Sequence, residues 1–140
     1  MSNWDGYYVK AANGKVLDPY FNFEGYKATP DQRQDKDSYR DGYGVLHRNV
    51  LPAKSSTLEL TTVDGLTLDD IIAVKTAIAS GMTSALERKT TLTYWNDDIL
   101  DYCTDTFYMP DITYPHRGLV NDMPTYNSFT IKFVGYGEIR

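Results

Sequence analysis

Two histidines (His47 and His116), a single cysteine (Cys103) and the aspartates Asp97, Asp98, Asp101 and Asp105 are the side chains here best equipped for chemistry. The histidines stand far apart, His47 beside Arg48 in a β-prone run and His116 in a Pro-flanked stretch. Neither has a companion at a spacing that presents two ligands to one metal. Cys103 falls in a strand-like segment without the local signature of a nucleophile, and reads as a small buried apolar residue. Paired carboxylates bind hard cations or exchange protons. The spacing here is not that of an EF-hand loop, however, and Asp97-Asp98 occupies a hairpin turn, where Asp is favoured because its side chain bonds nearby backbone. Asp101 and Asp105 share strand parity and read as a solvated stripe. There is no Gly-rich phosphate loop, G-x-S-x-G elbow or C-x-x-C pair, and Gly42-Tyr43-Gly44 has no helix after it to hold a phosphate. The expectation is a structural or binding protein with no catalytic residue, metal or cofactor. Hydrolytic or metal-dependent chemistry around residues 97–105 is a third reading.

A second group mixes cations with aromatics: Arg33, Lys36, Tyr39, Arg40 and Tyr43. They lie in residues 27–44, a polar segment with Pro30, Gly42 and Gly44 that has neither helical nor strand period. It reads as a long charged loop or arm, and loops of that length inside a domain are usually functional or mobile. One reading is a solvated loop. The other is a subunit-interface arm, because Tyr and Arg anchor protein contacts through low-entropy aromatic area and forked hydrogen bonding. Tyrosine is abundant, 12 against 5 Phe and 2 Trp. Its ring buries while its hydroxyl keeps a partner, which suits half-wet strands and contact surfaces alike.

The elements that must position these residues read mostly as strands. At 140 residues, 41% hydrophobic and 24% charged, the chain has the length and mix of a single globular domain spanning 1–140. Its net charge of −5 argues against a phosphate-tracking nucleic-acid binder, and leaves room only for passive contact with DNA along an acidic channel wall. No stretch approaches the roughly 20 apolar residues of a membrane span, and no export signal is visible, so a soluble protein is expected. Asn13-Gly14 between Tyr7–Lys10 and Lys15–Leu17 predicts a hairpin with a type I′ turn, followed by an aromatic cluster at Tyr20, Phe21 and Phe23. Val45–Leu51 is a short β-prone run stopped by Pro52. Thr57–Thr62 alternates with Leu58 and Leu60 inward. Thr67 caps a helix at about residues 68–80, with Asp70 completing a short-armed capping box and Gly81 at C′. Leu68, Ile71, Ile72, Val74, Ile78 and Ala79 fall at helical spacing, and Lys75 faces water. Thr90–Trp95 and Leu100–Met109 form a second hairpin around Asn96-Asp97-Asp98, Pro115–Pro124 reads as a loop, and Phe129, Ile131 and Phe133 line one face of the last strand. The fold class expected is mainly β with one α-helix: an antiparallel β-sandwich or rolled sheet with the helix flanking it.

From Arg40 to Tyr136 the chain resembles a family of short proteins, a domain of unknown function from tailed phages and prophages of Gram-positive bacteria. The matching features are Arg40 with Gly42 and Gly44, Arg48, the strand Leu58–Thr62 and the helix Leu68–Ala79. Thr93-Tyr94, Phe107-Tyr108 with Asp111, and the strand Phe129–Phe133 complete the pattern. The N-terminal hairpin and its aromatic cluster lie outside it. The resemblance implies a tail-tube-like or baseplate-hub subunit of the virion, made in the host cytoplasm. Such a subunit self-associates into a ring, a hexamer, and docks onto other tail proteins. It implies no catalytic residue, and with no apolar span no membrane contact is expected. A monomeric carbohydrate- or receptor-binding sandwich at the tail tip is the alternative.

Overall fold

Alternation with period two dictates where the core lies. In the computed structural model, which describes residues 3–22 and 26–139, the alternating stretches become strands that turn their apolar faces toward one another. In chain order the described residues form β1 (Val9–Ala11), β2 (Lys27–Asp35), β3 (Tyr39–Arg40), β4 (Leu46–His47), β5 (Val50–Thr61) and β6 (Leu66–Thr67). Helix α1 (Leu68–Ser80) follows, then β7 (Met82–Ser84), β8 (Lys89–Asn96), β9 (Asp101–Tyr108), β10 (His116–Val120), β11 (Met123–Tyr126), β12 (Thr130–Gly135) and β13 (Glu138–Ile139). A 3₁₀ turn, Asp18–Tyr20, lies between β1 and β2.

Every ladder is antiparallel among the described residues. In the eight-stranded main sheet, β1 and β7 share one edge of β8. Next come β9, then β12 and β13 end to end along β5, and β2 on the far side of β5. Strands β9 and β12 share only the pairs Val134↔Tyr108 and Gly135↔Phe107. The sheet rolls at that narrow seam, so the inner face of β8–β9 lies against that of β5–β12. The result is a β-sandwich-like fold with a flanking helix. Gly135 belongs at the seam because a Cβ there would sit 2.7 Å from the Ser56 carbonyl oxygen.

Leu58, Leu60, Leu92, Tyr94, Phe107 and Phe133 are buried between the layers, each at alternate positions of its strand. Helix α1 packs against β1, β6, β8 and β11. Its capping box is present: Thr67 accepts from the Asp70 N–H, and the Asp70 carboxylate accepts from the Thr67 N–H. The helix buries Ile71, Val74, Ala77 and Ile78, while Ile72 and Ala79, expected on the inner face, are exposed. Gly81 ends the helix at φ −100°, without the left-handed conformation expected of a C′ glycine. Space is its constraint, since a Cβ would lie 2.7 Å from the Thr91 carbonyl oxygen and 2.9 Å from Ala12 Cβ.

Four other expectations give way. The Asn13-Gly14 hairpin forms, but only Gly14 has positive φ, and Gly14 N–H donates to Ala11 O; the turn is therefore not type I′. Residues 27–44 are not a loop: β2 pairs with β5 from Lys27 to Asp35, and β3 pairs with β4 beyond it. Strand periodicity is hidden there because the register shifts between Thr29 and Gln32 and again between Arg33 and Asp35. Pro52 does not stop β5, since it falls inside the second irregularity, where the ladder passes from Arg33↔Lys54 to Asp35↔Val50. Pro115–Pro124 is largely a hairpin, β10–β11, turned by Asn121 and Asp122 with φ of +52° and +63°. Phe23 of the aromatic cluster lies outside the described residues.

Candidate functional site: a ribbon arm, a buried polar chain and an apolar groove

Strands β2 and β5 form a ribbon whose far end carries the β3–β4 hairpin. All five residues expected at an interface lie on this arm and are exposed. Arg33 sits near the root, where Nη1 donates to the Asp31 carbonyl (2.6 Å) and reaches Asp98 Oδ2 in the β8–β9 turn (3.2 Å). Its side chain thus ties the arm to its own body. Lys36 uses its N–H to close the ribbon on Asn49 O. Tyr39 stacks on His47 at 4.9 Å, and Arg40 Nη1 turns back onto the Gly44 carbonyl at 2.9 Å. Tyr43 projects from the turn with 96% of its surface exposed.

The tip is built to hold that shape. The Asp41 carboxylate accepts from the Tyr43 and Val45 N–H groups and lies 2.9 Å from His47 Nε2. These hydrogen bonds, His47 first, hold its carboxyl below the usual range. Lower down, Arg48 forks onto Asp35 (3.1 and 2.6 Å) and likewise holds that carboxyl low. Around this frame Tyr39, Val45, Leu46, Val50 and Leu51 are all exposed. Several exposed apolar side chains on one projecting element make it a candidate contact surface.

At the root, Pro30 and a positive φ of +48° at Asp31 break the alternation of β2 and re-aim the Asp31 side chain inward. Asp31 is buried, and its carboxylate accepts from Asn96 Nδ2 at 3.0 Å. Its N–H donates to Ser56 Oγ, which bonds the Tyr94 hydroxyl (2.8 Å), and that hydroxyl donates to Asp105 (2.7 Å). Burial, followed by the Asp105 contact, pushes the Tyr94 phenol far above its ordinary range. Asp105 is therefore not part of a solvated stripe: only 3% of it is exposed, inside the layer with Cys103, which is buried as expected. Asn96, expected in a turn, is likewise wholly buried at the end of β8. Asp97 accepts from Trp95 Nε1, Asp98 holds Arg33, and Asp101 accepts its neighbour's N–H, so the aspartates are spread over separate tasks. His116 lies exposed against Tyr126. Among the described residues no group of three or more His, Cys, Asp or Glu side chains is arranged to hold a metal.

Two further features have only a partial signal in the sequence. Trp4, Tyr7, Trp95 and Tyr102 form an aromatic cluster beside the β8–β9 turn, with Tyr7 stacked on Tyr102 at 4.5 Å and Trp4 40% exposed. On the other side of the molecule, α1 and the segments after β7 and β9 enclose an apolar groove of about 340 Å³. Ile71, Val74 and Ile78 of the helix line it together with Met82, Met109, Ile112, Phe129 and Ile131. Lys75 and Arg88 stand at the lining, Lys75 Nζ 4.4 Å over the Tyr114 ring and Arg88 3.4 Å from Asp111. The helix residues and the alternating Phe129 and Ile131 of this lining have a sequence signal, whereas Met82, Met109 and Ile112 have none.

A family model described as "Family of unknown function (DUF6711)" matches residues 1–136. The chain belongs to that family. No curated protein and no solved structure matches it. The DUF6711 match begins well before Arg40, so the N-terminal hairpin and the Trp4–Tyr102 contacts belong to the family domain along with the arm and the helix.

Proposed function

We propose that this DUF6711 protein is a structural subunit of a phage tail or tail-like particle. It forms a ring by self-association, a hexamer, and docks onto neighbouring tail or baseplate proteins. The observation that carries the reading is the arm: a hydrogen-bonded ribbon ending in a braced hairpin with Tyr39, Tyr43, Val45 and Leu46 exposed together. A fixed apolar tip loses little conformational entropy on docking, so binding costs less than for a disordered loop. The virion setting rests on the resemblance to tail-module proteins of phages and prophages. In a channel-forming ring the net charge of −5 would suit passive contact with DNA without adhesion.

Light scattering across a concentration series, with negative-stain microscopy, tests it. A ring several times the monomer mass is expected; a monomer at every concentration, with or without tail extract, would overturn the reading.

A second reading, a monomeric carbohydrate- or receptor-binding module, draws on the partly exposed Trp4 and its stacked neighbours, since flat aromatic faces hold sugar rings. Glycan-array binding by a monomer, abolished by Trp4→Ala, would favour it.

A further inference from the structure

The arm tip and the apolar groove lie at opposite ends of the same strand. The groove is lined by Thr62, just past the end of β5, and by Phe129 and Arg88 at the matching ends of the neighbouring segments. The arm leaves from the Val50 end, beside Asp98 and the β8–β9 turn. Strand β5 has 12 residues, so at about 3.3 Å each the two features are about 40 Å apart before the hairpin is added. A tip so placed cannot reach the groove of its own chain.

We propose that the arm tip of one copy docks into the α1 groove of a second copy. Tyr43 enters the cavity, and Val45 and Leu46 cover its mouth. This deepens the self-association reading and rests on it. Three observations choose a second copy as the occupant. The tip is an exposed apolar knob and the groove an apolar hollow of about 340 Å³, large enough for an aromatic anchor with aliphatic neighbours. Charge agrees as well. Asp41, in the turn with Tyr43, would approach Lys75, whose ammonium lies over the Tyr114 ring face, while Arg40 is folded back onto Gly44 and Arg88 faces Asp111. Finally, strand addition is poorly served by the ribbon's own outer edge, because Pro30 and the bulge at Asp31 interrupt β2. Side-chain docking is the route left open. A knob and hollow on opposite ends make a heterologous contact, which closes into a ring or continues as a stack.

The test uses full-length chains. Gly42 has open space around it and ordinary φ, and Ala85 lines the groove with its side chain exposed. Gly42→Cys and Ala85→Cys chains, mixed under mild oxidation, are expected to form a disulfide-linked heterodimer that neither chain forms alone; Cys103 is buried. Tyr43→Ser and Ala79→Glu, both at exposed positions, are each expected to weaken association at least about tenfold with unchanged circular dichroism. Wild-type assembly by both variants, together with no cross-link, would overturn the docking while leaving self-association standing, and would assign the groove to another protein. A monomeric wild type would overturn both.

Discussion

Tyr94 lies at the centre of the buried chain of hydrogen bonds from Asp31 to Asp105, and a single hydroxyl carries both of its links. Tyr94→Phe keeps the ring and removes the donor to Asp105 and the partner of Ser56. Leaving buried polar groups short of a bond costs about 1–3 kcal/mol each. A fall in unfolding free energy of that size is expected in denaturant titrations; an unchanged midpoint would mean that the chain contributes nothing. The exposed carboxylates of the arm behave differently. Asp35 and Asp41 are held below their ordinary range by Arg48 and by His47 with the turn N–H groups. Their contribution is therefore present above the unfolded carboxylate value and is lost as pH falls through the lowered one. Hydrogen exchange at the Tyr43 and Val45 amides should accelerate on acidification through that window, beyond the intrinsic pH trend, and Asp41→Asn should remove the step. At this scale the sequence was informative in one respect and misleading in another. Asp105 shares parity with Cys103 and Phe107, so its inward position is written in the alternation, although its residue type points outward because acidic residues usually face water. Asp31 had no such signal, because the bulge that re-aims it leaves no mark except Pro30.

The bounds of helix α1 and its cap were legible, since Thr67, Asp70 and the spacing of Ile71, Val74 and Ile78 agree, whereas Ile72, Ala79 and the Gly81 conformation depart from the pattern. Thr67→Ala should cost about 0.5–2 kcal/mol, measured by thermal or chemical unfolding, because the hydroxyl that accepts from the Asp70 N–H and donates to the Asp70 carboxylate is lost. The rolled seam makes a stronger demand. Gly135→Ala places a methyl 2.7 Å from the Ser56 carbonyl oxygen, backbone that cannot swing away. A loss of about 1–3 kcal/mol is expected, and a neutral result would show that β5 and β12 can separate at low cost. The elements missed by the sequence share a cause. Strand β2 is interrupted twice, and β10 is exposed at every position, so neither can display a period of two. Their pairing is set by tertiary partners and by Asn121 and Asp122 in left-handed conformations, not by local pattern.

On the scale of the whole molecule, the sheet and helix share one core, and the proposed function rests on what projects from it and what remains open beside it. The arm places an apolar, hydrogen-bond-braced tip at one end, and the groove opens at the other. Composition had suggested contact surfaces through its tyrosines, and five arm residues were legible as interface candidates. The groove was not, because Met82, Met109, Ile112 and Tyr114, which complete its lining, come from segments with no regular period. The central proposal is self-association through the arm. The most direct measurement is the mass of the full-length chain by light scattering over a wide concentration range, beside the Tyr43→Ser variant. A concentration-dependent oligomer that falls to monomer in the variant is the expected result. A wild type that stays monomeric throughout would contradict it.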